Sequence, residues 1–198
     1  DALNMLSIGY THPTALTLYA AYVISFIGRE TAGSMEKGYL EIVLSRPISR
    51  ITYLFNLLIL FIIGLVILGI GTILGSVTAI VIFNINIPLQ NTIPTIMAMS
   101  SLFFCLGGLA AVVGTAVKHG SHYSGWSVGL VFGLYLAEFL GKTIRDMSWI
   151  APLSPFHYYH PNDTLQKGIF PVSDLGILLA AGLILFVLSG WLFRRRDI

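Results

Sequence analysis

The sequence predicts an all-α integral membrane protein that forms a single domain over residues 1–198. The first observation is composition: 56% of the residues are hydrophobic and only 10% are charged, against about 25% charged in a typical soluble domain. A soluble fold of this size cannot bury so much apolar surface, whereas a bilayer allows outward-facing positions to be apolar. The second observation is a series of five long apolar segments separated by the charged residues.

The five apolar segments predict about five transmembrane helices, since a helix of about 20 residues crosses the hydrocarbon core. They lie at about residues 13–27, 51–83, 93–117, 125–140 and 175–193. The second segment is free of charge over about 33 residues, or roughly 50 Å as one helix. We therefore expect it to tilt, bend or project beyond the membrane.

Lysine and arginine predict the orientation of these helices in the cell membrane. If the spans alternate in direction, eight lysine and arginine residues lie on one side of the membrane. A smaller set of three, Lys142, Arg145 and Lys167, lies on the other side. The positive-inside rule makes the larger group cytoplasmic, so the C-terminus is cytoplasmic and the chain begins outside. An outside start suggests a sixth span before Asp1. The larger group is Arg29, Lys37, Arg46, Arg50, Lys118, Arg194, Arg195 and Arg196.

Charge and cysteine content exclude two further classes of interpretation. The net charge of +2 and the lack of a long basic block argue against a nucleic-acid partner. Cys105 is the single cysteine, so no disulfide can form within the chain. Membrane lipid is the predicted surrounding of most side chains.

The loop after the first apolar segment has the pattern of a short helix. Met35, Tyr39, Ile42 and Val43 have the spacing of one helical face, and Pro47 is expected to end the helix. Such a helix would lie along the cytoplasmic surface between two spans and could carry motion from a soluble partner. A surface loop whose apolar face rests on lipid headgroups is the alternative.

The same loop carries a resemblance to a known family. Residues 36–50 read Glu-Lys-Gly-Tyr-Leu-Glu-Ile-Val-Leu-Ser-Arg-Pro-Ile-Ser-Arg, residues 153–159 read Leu-Ser-Pro-Phe-His-Tyr-Tyr, and residues 193–198 read Phe-Arg-Arg-Arg-Asp-Ile. These three patches, in this order, are similar to those of ABC-2 type transporter permeases, the transmembrane subunits of ABC exporters. Two departures are Tyr39, where threonine is common, and the absence of the family's first span.

The resemblance implies that residues 34–46 form a coupling helix that docks on a cytoplasmic ABC ATPase subunit. It further implies a permease subunit that is not an enzyme and binds no cofactor, with ATP and Mg²⁺ on the ATPase. A second permease subunit would complete a homodimer or heterodimer. A non-transporting membrane scaffold or sensor of the same architecture is the alternative. The implied coupling residues are Glu36, Lys37, Tyr39, Leu40, Glu41, Arg46 and Arg50.

The fourth apolar segment contains two features of interest. Gly125, Gly129 and Gly133 recur at every fourth residue, a spacing that lets two helices approach closely. The expected partner is a helix of the same chain, and a dimer partner is the alternative. Glu138 is the only carboxylate within an apolar segment, which makes it a candidate for a substrate path. Pairing with Lys142, one turn later, is the favoured interpretation.

Residues 141–171 combine several prolines with aromatic side chains, which predicts short extracellular helices that cover the outer mouth before the last span. His157, His160 and Asp163 have a spacing that could gather a metal ion. Interfacial packing explains them better, so no metal site is predicted. An intramembrane serine hydrolase using Ser124 and His122 is disfavoured because no nucleophile-elbow motif is present. The apolar interior suits a lipid, drug or hydrophobic peptide as cargo.

Overall fold

The computed structural model describes residues 10, 13–45, 47–83, 89–117, 120–169 and 171–195. All the regular structure in these ranges is helical, which confirms the all-α prediction for them. Helices of six or more residues are α1 (Pro13–Gly28), α3 (Tyr39–Leu44), α4 (Arg50–Phe83), α5 (Leu89–Ala116), α6 (Gly120–Thr143), α7 (Pro161–Lys167) and α8 (Val172–Arg194). Shorter pieces are a π turn (Arg29–Gly33), α2 (Ser34–Glu36) and three 3₁₀ turns (Arg145–Met147, Ala151–Leu153, Pro155–Tyr158).

Among the described residues, four helices are long and apolar enough to cross a membrane: Arg50–Ile82, Gln90–Ala116, Gly120–Thr143 and Val172–Arg194. The fifth predicted span corresponds to α1, which has 16 residues and falls short of the required length of about 20. The prediction of five spans is therefore not confirmed. The chain nevertheless stays helical from Pro13 to Glu36, because the π turn and α2 follow α1 directly.

Helix α5 is the centre of the bundle. Within its most apolar window 72% of the residues are buried, against 17–22% in the other three spanning helices. It packs most extensively on α8 and also contacts α1, α4 and α6. Leu102, Phe103 and Leu106 of α5 are at most 1% exposed. The outer helices thus face α5 on one side and present apolar side chains outward on the other.

Two glycines allow α5 and α8 to touch through their backbones. A methyl group on Gly108 would lie 2.8 Å from the carbonyl oxygen of Gly182, and one on Gly182 would lie 3.2 Å from the Cα of Cys105. Further along, the Ser189 hydroxyl donates a hydrogen bond of 3.1 Å to the Ala111 carbonyl oxygen. Small residues give membrane helices this close contact, which supplies packing energy where water is absent.

Phe61 of α4 fills the core beside this contact and is fully buried. Its ring lies 6.1 Å from Tyr22, 6.2 Å from Phe26 and 5.9 Å from Phe186, measured between centroids. Gly107 of α5 lies against the same ring. The aromatic cluster joins α1, α4 and α8 around the central helix.

The bundle has two distinct ends. At one end lie residues 29–49, here named the loop, and the C-terminal end of α8. A 3.3 Å hydrogen bond to the Phe193 carbonyl oxygen joins this end of α8 to Arg50, the first residue of α4. At the other end lie residues 145–167, here named the cap, joined to α5 by a 3.0 Å hydrogen bond from Asn91 to the Leu165 carbonyl oxygen. That the end formed by the loop and the C-terminal end of α8 faces the cytoplasm stays a prediction. Arg46, Lys118 and Arg196 lie outside the described residues.

The α5–α8 contact gives a test of the fold. We expect Gly108→Ala to lower the free energy of unfolding by about 1–3 kcal/mol, because the new methyl group forces the two backbones apart. Gly75→Ala in α4 is the matched control, since a methyl group there meets no described atom within 4 Å. Thermal unfolding of both variants in detergent measures the difference. Equal melting temperatures would show that α5 and α8 are not in backbone contact.

Candidate functional site

The loop is helical but broken in the middle. Gly38 has φ of +71°, in the left-handed region, and separates α2 from α3. The predicted single helix over residues 34–46 is therefore two pieces, because a left-handed residue cannot continue a right-handed helix. Ser45 ends α3 with a 2.9 Å hydrogen bond from its amide to the Glu41 carbonyl oxygen. Arg46 lies outside the described residues.

The apolar face predicted for this helix is not the face that is buried. Leu40 is 1% exposed, whereas Tyr39 and Ile42 are 58% and 64% exposed. The break at Gly38 changes the direction of α3 relative to α2, so side chains spaced across the break no longer share a face. The outward surface of the loop combines charged and apolar groups. It includes Glu36, Lys37, Tyr39, Glu41, Ile42 and Ile48.

The loop is fastened to three helices of the bundle. It continues α1 directly, and Tyr53 of α4 donates a 2.6 Å hydrogen bond to the Glu30 carbonyl oxygen. The carboxylate of Glu36 lies against Gly120, the first residue of α6. A negative charge is favourable at a helix N-terminus, where unpaired amides leave a partial positive charge. The sequence predicted Glu36 as a contact for a partner, and its place at the start of α6 was not foreseen.

Behind the loop lies a cavity of about 590 Å³ with a wall of mixed polar and apolar groups, here named the vestibule. Its wall carries charges of both signs, including Lys37 and the Arg29–Glu30 ion pair of 3.1 Å. Tyr53 and Tyr123 line it from α4 and α6. This cavity opens the interior of the bundle at the end where the loop lies.

A second cavity of about 520 Å³, here named the chamber, lies between α1 and α6. Its wall is mostly apolar and ends in aromatic rings at the cap. Ile24, Ser25 and Ser124 line both the chamber and the vestibule, so the two cavities adjoin. The other lining residues are Leu16, Thr17, Ala20, Ala21, Phe103, Val128, Val131, Phe132, Tyr135 and Phe156.

The cap contributes Phe156 to the far end of the chamber wall, and it contains the short helical pieces that the prolines predicted. Among the contacts that hold it to α6 are three made by the side chains of Ser154, Phe156 and His157. The Ser154 hydroxyl donates a 2.8 Å hydrogen bond to the Leu134 carbonyl oxygen. The Phe156 ring meets Tyr135 edge-on, with centroids 5.6 Å apart. Tyr159 fixes the cap further by donating to the Tyr10 carbonyl oxygen, and burial raises the pKa of its phenol.

The third attachment is a buried carboxylate. Glu138 of α6 is 6% exposed, and the Lys142 ammonium lies 2.6 Å from its Oε1 in an ion pair without hydrogen-bond alignment. This is the pairing that the spacing predicted. His157 of the cap adds a second partner, with Nδ1 3.2 Å from Oε2. The sequence did not reveal this contact, since 19 residues separate the two groups.

The residues with metal-like spacing point to different partners. His157 faces Glu138, and His160 Nδ1 lies 3.4 Å from an oxygen of Asp174. Asp163 pairs with Lys167 at 2.6 Å, a hydrogen bond that holds the pKa of this carboxyl below its usual value. In the part of the chain that the structure describes, no cluster of three or more such side chains could hold a metal ion.

The three glycines of α6 face away from the rest of the described chain. A methyl group on Gly125, Gly129 or Gly133 would meet no described atom within 4 Å. The structure therefore does not support the expected packing on a helix of the same chain. The close intrachain contact is made instead by Gly108 and Gly182. Packing of the α6 glycines on a second permease subunit stays a prediction.

The burial of Glu138 gives a stability test. We expect Lys142→Met to lower the free energy of unfolding by about 1–2 kcal/mol, because Glu138 stays buried with one partner fewer. Lys167→Met is the matched control, since it breaks an i, i+4 pair whose side chains are 61% and 54% exposed and should change stability little. Thermal unfolding in detergent compares the two. A larger effect from Lys167→Met would contradict the buried pair.

Comparison with known protein families gives a match over most of the chain. A family model described as "Multidrug efflux system permease Rv1217c, C-terminal domain" matches residues 3–194. Neither the curated proteins nor the solved structures yielded a significant match. The apolar helices and this match together indicate a multi-pass membrane protein of the transporter-permease kind. Because the match covers nearly the whole sequence, the chain belongs to the family of the C-terminal domain of the multidrug efflux system permease Rv1217c.

Proposed function

We propose that this chain is the membrane-spanning permease subunit of an ABC-2 type exporter. It moves a lipophilic cargo using ATP hydrolysed by a partner subunit. The observation that carries the proposal is the loop, which presents an exposed surface outward and is fastened inward to α1, α4 and α6. The family match to an efflux permease supports transport, and the sequence resemblance supports the ABC-2 type.

The exposed surface of the loop has the chemistry of a docking site for a soluble subunit. Tyr39 and Ile42 supply apolar area, while Glu36, Lys37 and Glu41 surround it with charge. Protein interfaces combine an apolar centre with a polar rim in this way. We assign this surface to the cytoplasmic ABC ATPase. The second part of the loop adds a recess lined by Glu41, Leu44, Ser45, Ile48, Ser49 and Arg50.

A displacement of the loop has a direct mechanical route into the chamber. The loop continues α1 and lies against the first residue of α6, and these two helices form the walls of the chamber. Packed helices respond to a push by small rigid shifts, not by continuous deformation. Movement of the ATPase would therefore change the separation of α1 and α6. Central helix α5, held to α8, would stay in place as the fixed reference.

The cavities suggest the class of cargo. The chamber volume of about 520 Å³ falls within the range of about 300–1,000 Å³ that is usual for small-molecule sites. Its aromatic and aliphatic wall suits a lipophilic molecule and offers little to a hydrated ion. Cargo would enter through the vestibule and leave beneath the cap. In this scheme the chain makes and breaks no covalent bond, and ATP and Mg²⁺ bind to the partner.

The second permease subunit is assigned to the outward face of α6. Gly125, Gly129 and Gly133 leave a smooth strip along this helix, with Trp126 and Phe132 exposed beside it. Such a strip lets two helices approach closely in a membrane. The partner is a second copy of this chain or a related permease. A non-transporting scaffold or sensor of this architecture is the alternative function, and ATP-dependent accumulation of a lipophilic dye in inverted vesicles separates the two.

Charge reversal on the loop tests the coupling assignment. We expect Glu36→Lys with Glu41→Lys to lower ATP-driven transport in inverted vesicles by about tenfold or more, because an interface that loses two charges loses complementarity. The ATPase should bind less tightly to the purified double variant. Asp146→Lys is the control, an exposed acidic residue at the opposite end of the bundle. Unchanged transport in the double variant would remove the loop from the coupling mechanism.

Disulfide cross-linking tests the subunit contact on α6. In a Cys105→Ala background, we expect Gly129→Cys to form a cross-linked dimer on mild oxidation in membranes, because a close contact brings the two thiols together. Gly75→Cys is the matched control, a glycine of α4 that is equally open in the single chain. Gel electrophoresis without reductant measures the product. Cross-linking of Gly75→Cys alone would move the dimer contact to α4.

A further inference from the structure

The cap is held to α6 by a group whose charge can change. Glu138 is buried between the ammonium of Lys142 and the imidazole of His157. Lysine carries a fixed positive charge at ordinary pH, whereas histidine gains or loses its charge within the physiological range. Of the two partners, therefore, only the one contributed by the cap is switchable. We name Glu138, Lys142 and His157 the latch.

The latch lies beside the end of the chamber that Tyr135 and Phe156 line. Tyr135, one turn before Glu138 on α6, lines the chamber, and so does Phe156, the residue that precedes His157. The two rings meet edge-on at 5.6 Å. Any weakening of the bond between His157 and Glu138 therefore loosens the segment that carries Phe156. The hydrogen bond from Ser154 to Leu134 also attaches the cap to α6, and it does not depend on charge.

The charges around His157 determine whether its protonation strengthens or weakens the contact with Glu138. Glu138 attracts a protonated imidazole at 3.2 Å. The positive charges of Lys142 and of a protonated His160 oppose protonation of His157. The His160 ring lies 6.3 Å from the His157 ring, measured between centroids, and it pairs with Asp174 of α8. The Tyr158 ring meets the His157 ring edge-on. Helix α5 also contacts the Pro155–Tyr158 turn, but it carries no acidic or basic residue. The nearest contact is attractive, so protonation strengthens it.

We propose that the latch is a pH-dependent closure of the chamber, held tightly when His157 is protonated and more loosely when it is neutral. The protonated imidazole gives Glu138 a charge-assisted hydrogen bond, which is about twice as strong as a neutral one. The neutral imidazole can still donate from Nδ1, but the ion pair is lost. Release of cargo beneath the cap is then easier as the pH rises. The link to cargo rests on the proposed function, whereas the closure itself does not.

Thiol accessibility tests the closure without ATP. In a Cys105→Ala background, Leu16→Cys places a single thiol at the cap end of the chamber, and Ser148→Cys places one on the exposed cap. A charged maleimide is added to intact cells and, separately, to inverted vesicles. The preparation in which Ser148→Cys reacts identifies the cap face. Dividing the rate for Leu16→Cys by the rate for Ser148→Cys removes the intrinsic pH dependence of the thiol.

We expect this normalised rate to be about fivefold higher at pH 8.0 than at pH 5.5, because the charge-assisted bond is lost. His157→Gln should make the rate high at both pH values, and His157→Arg, with a permanent charge, should make it low at both. Glu138→Gln should raise the rate at pH 5.5. His160→Gln is the matched control and should keep the pH dependence, since His160 pairs with Asp174. Melting temperatures establish that each variant is folded.

Three results would overturn the latch. One is a normalised rate that does not change with pH, and another is a pH dependence that survives His157→Gln. The third is a pH dependence that disappears with His160→Gln, which would assign it to the His160–Asp174 pair. Failure of the exporter proposal is distinguishable, because it would appear as absent ATP-driven transport while the pH-dependent labelling persisted.

Discussion

The backbone contact between α5 and α8 is the constraint on which the rest of the bundle depends. Gly108 and Gly182 allow the two helices to touch, and Phe61 then fills the space beside them. Without water, burial of apolar surface cannot hold membrane helices together, so dense packing has to do so. This contact makes α5 a fixed axis. The other helices are arranged around that axis, and their outer faces carry exposed apolar side chains.

Around this axis, α1 and α6 are the helices between which the chamber forms. They diverge enough to leave the vestibule and the chamber between them. Both helices are controlled at their ends: the loop joins them at one end, and the cap meets α6 at the other. A permease needs such an arrangement, because a cavity that opens alternately to two sides requires walls that move and ends that can be held.

The two ends use different chemistry. The loop relies on a mixed apolar and charged surface, together with the Glu36 carboxylate at the start of α6. The cap relies on a hydroxyl, a pair of aromatic rings and a buried carboxylate that has one fixed and one switchable partner. A buried charge is costly unless it is paired, so Glu138 makes the position of the cap depend on its partners. Under the two proposals, each end is a point at which a signal from outside the bundle acts.

The sequence alone determined the class of fold, the pairing of Glu138 with Lys142 and the short helices of the cap, because apolar runs, i, i+4 spacing and prolines act locally. Only the tertiary structure decided which face of the loop is buried, since the left-handed Gly38 interrupts the helical spacing. It also decided that Gly108 and Gly182, and not the regular glycines of α6, form the close contact. The contact between His157 and Glu138 was likewise decided by the tertiary structure. Contacts between distant segments depend on how helices pack, and no local sequence pattern encodes that packing.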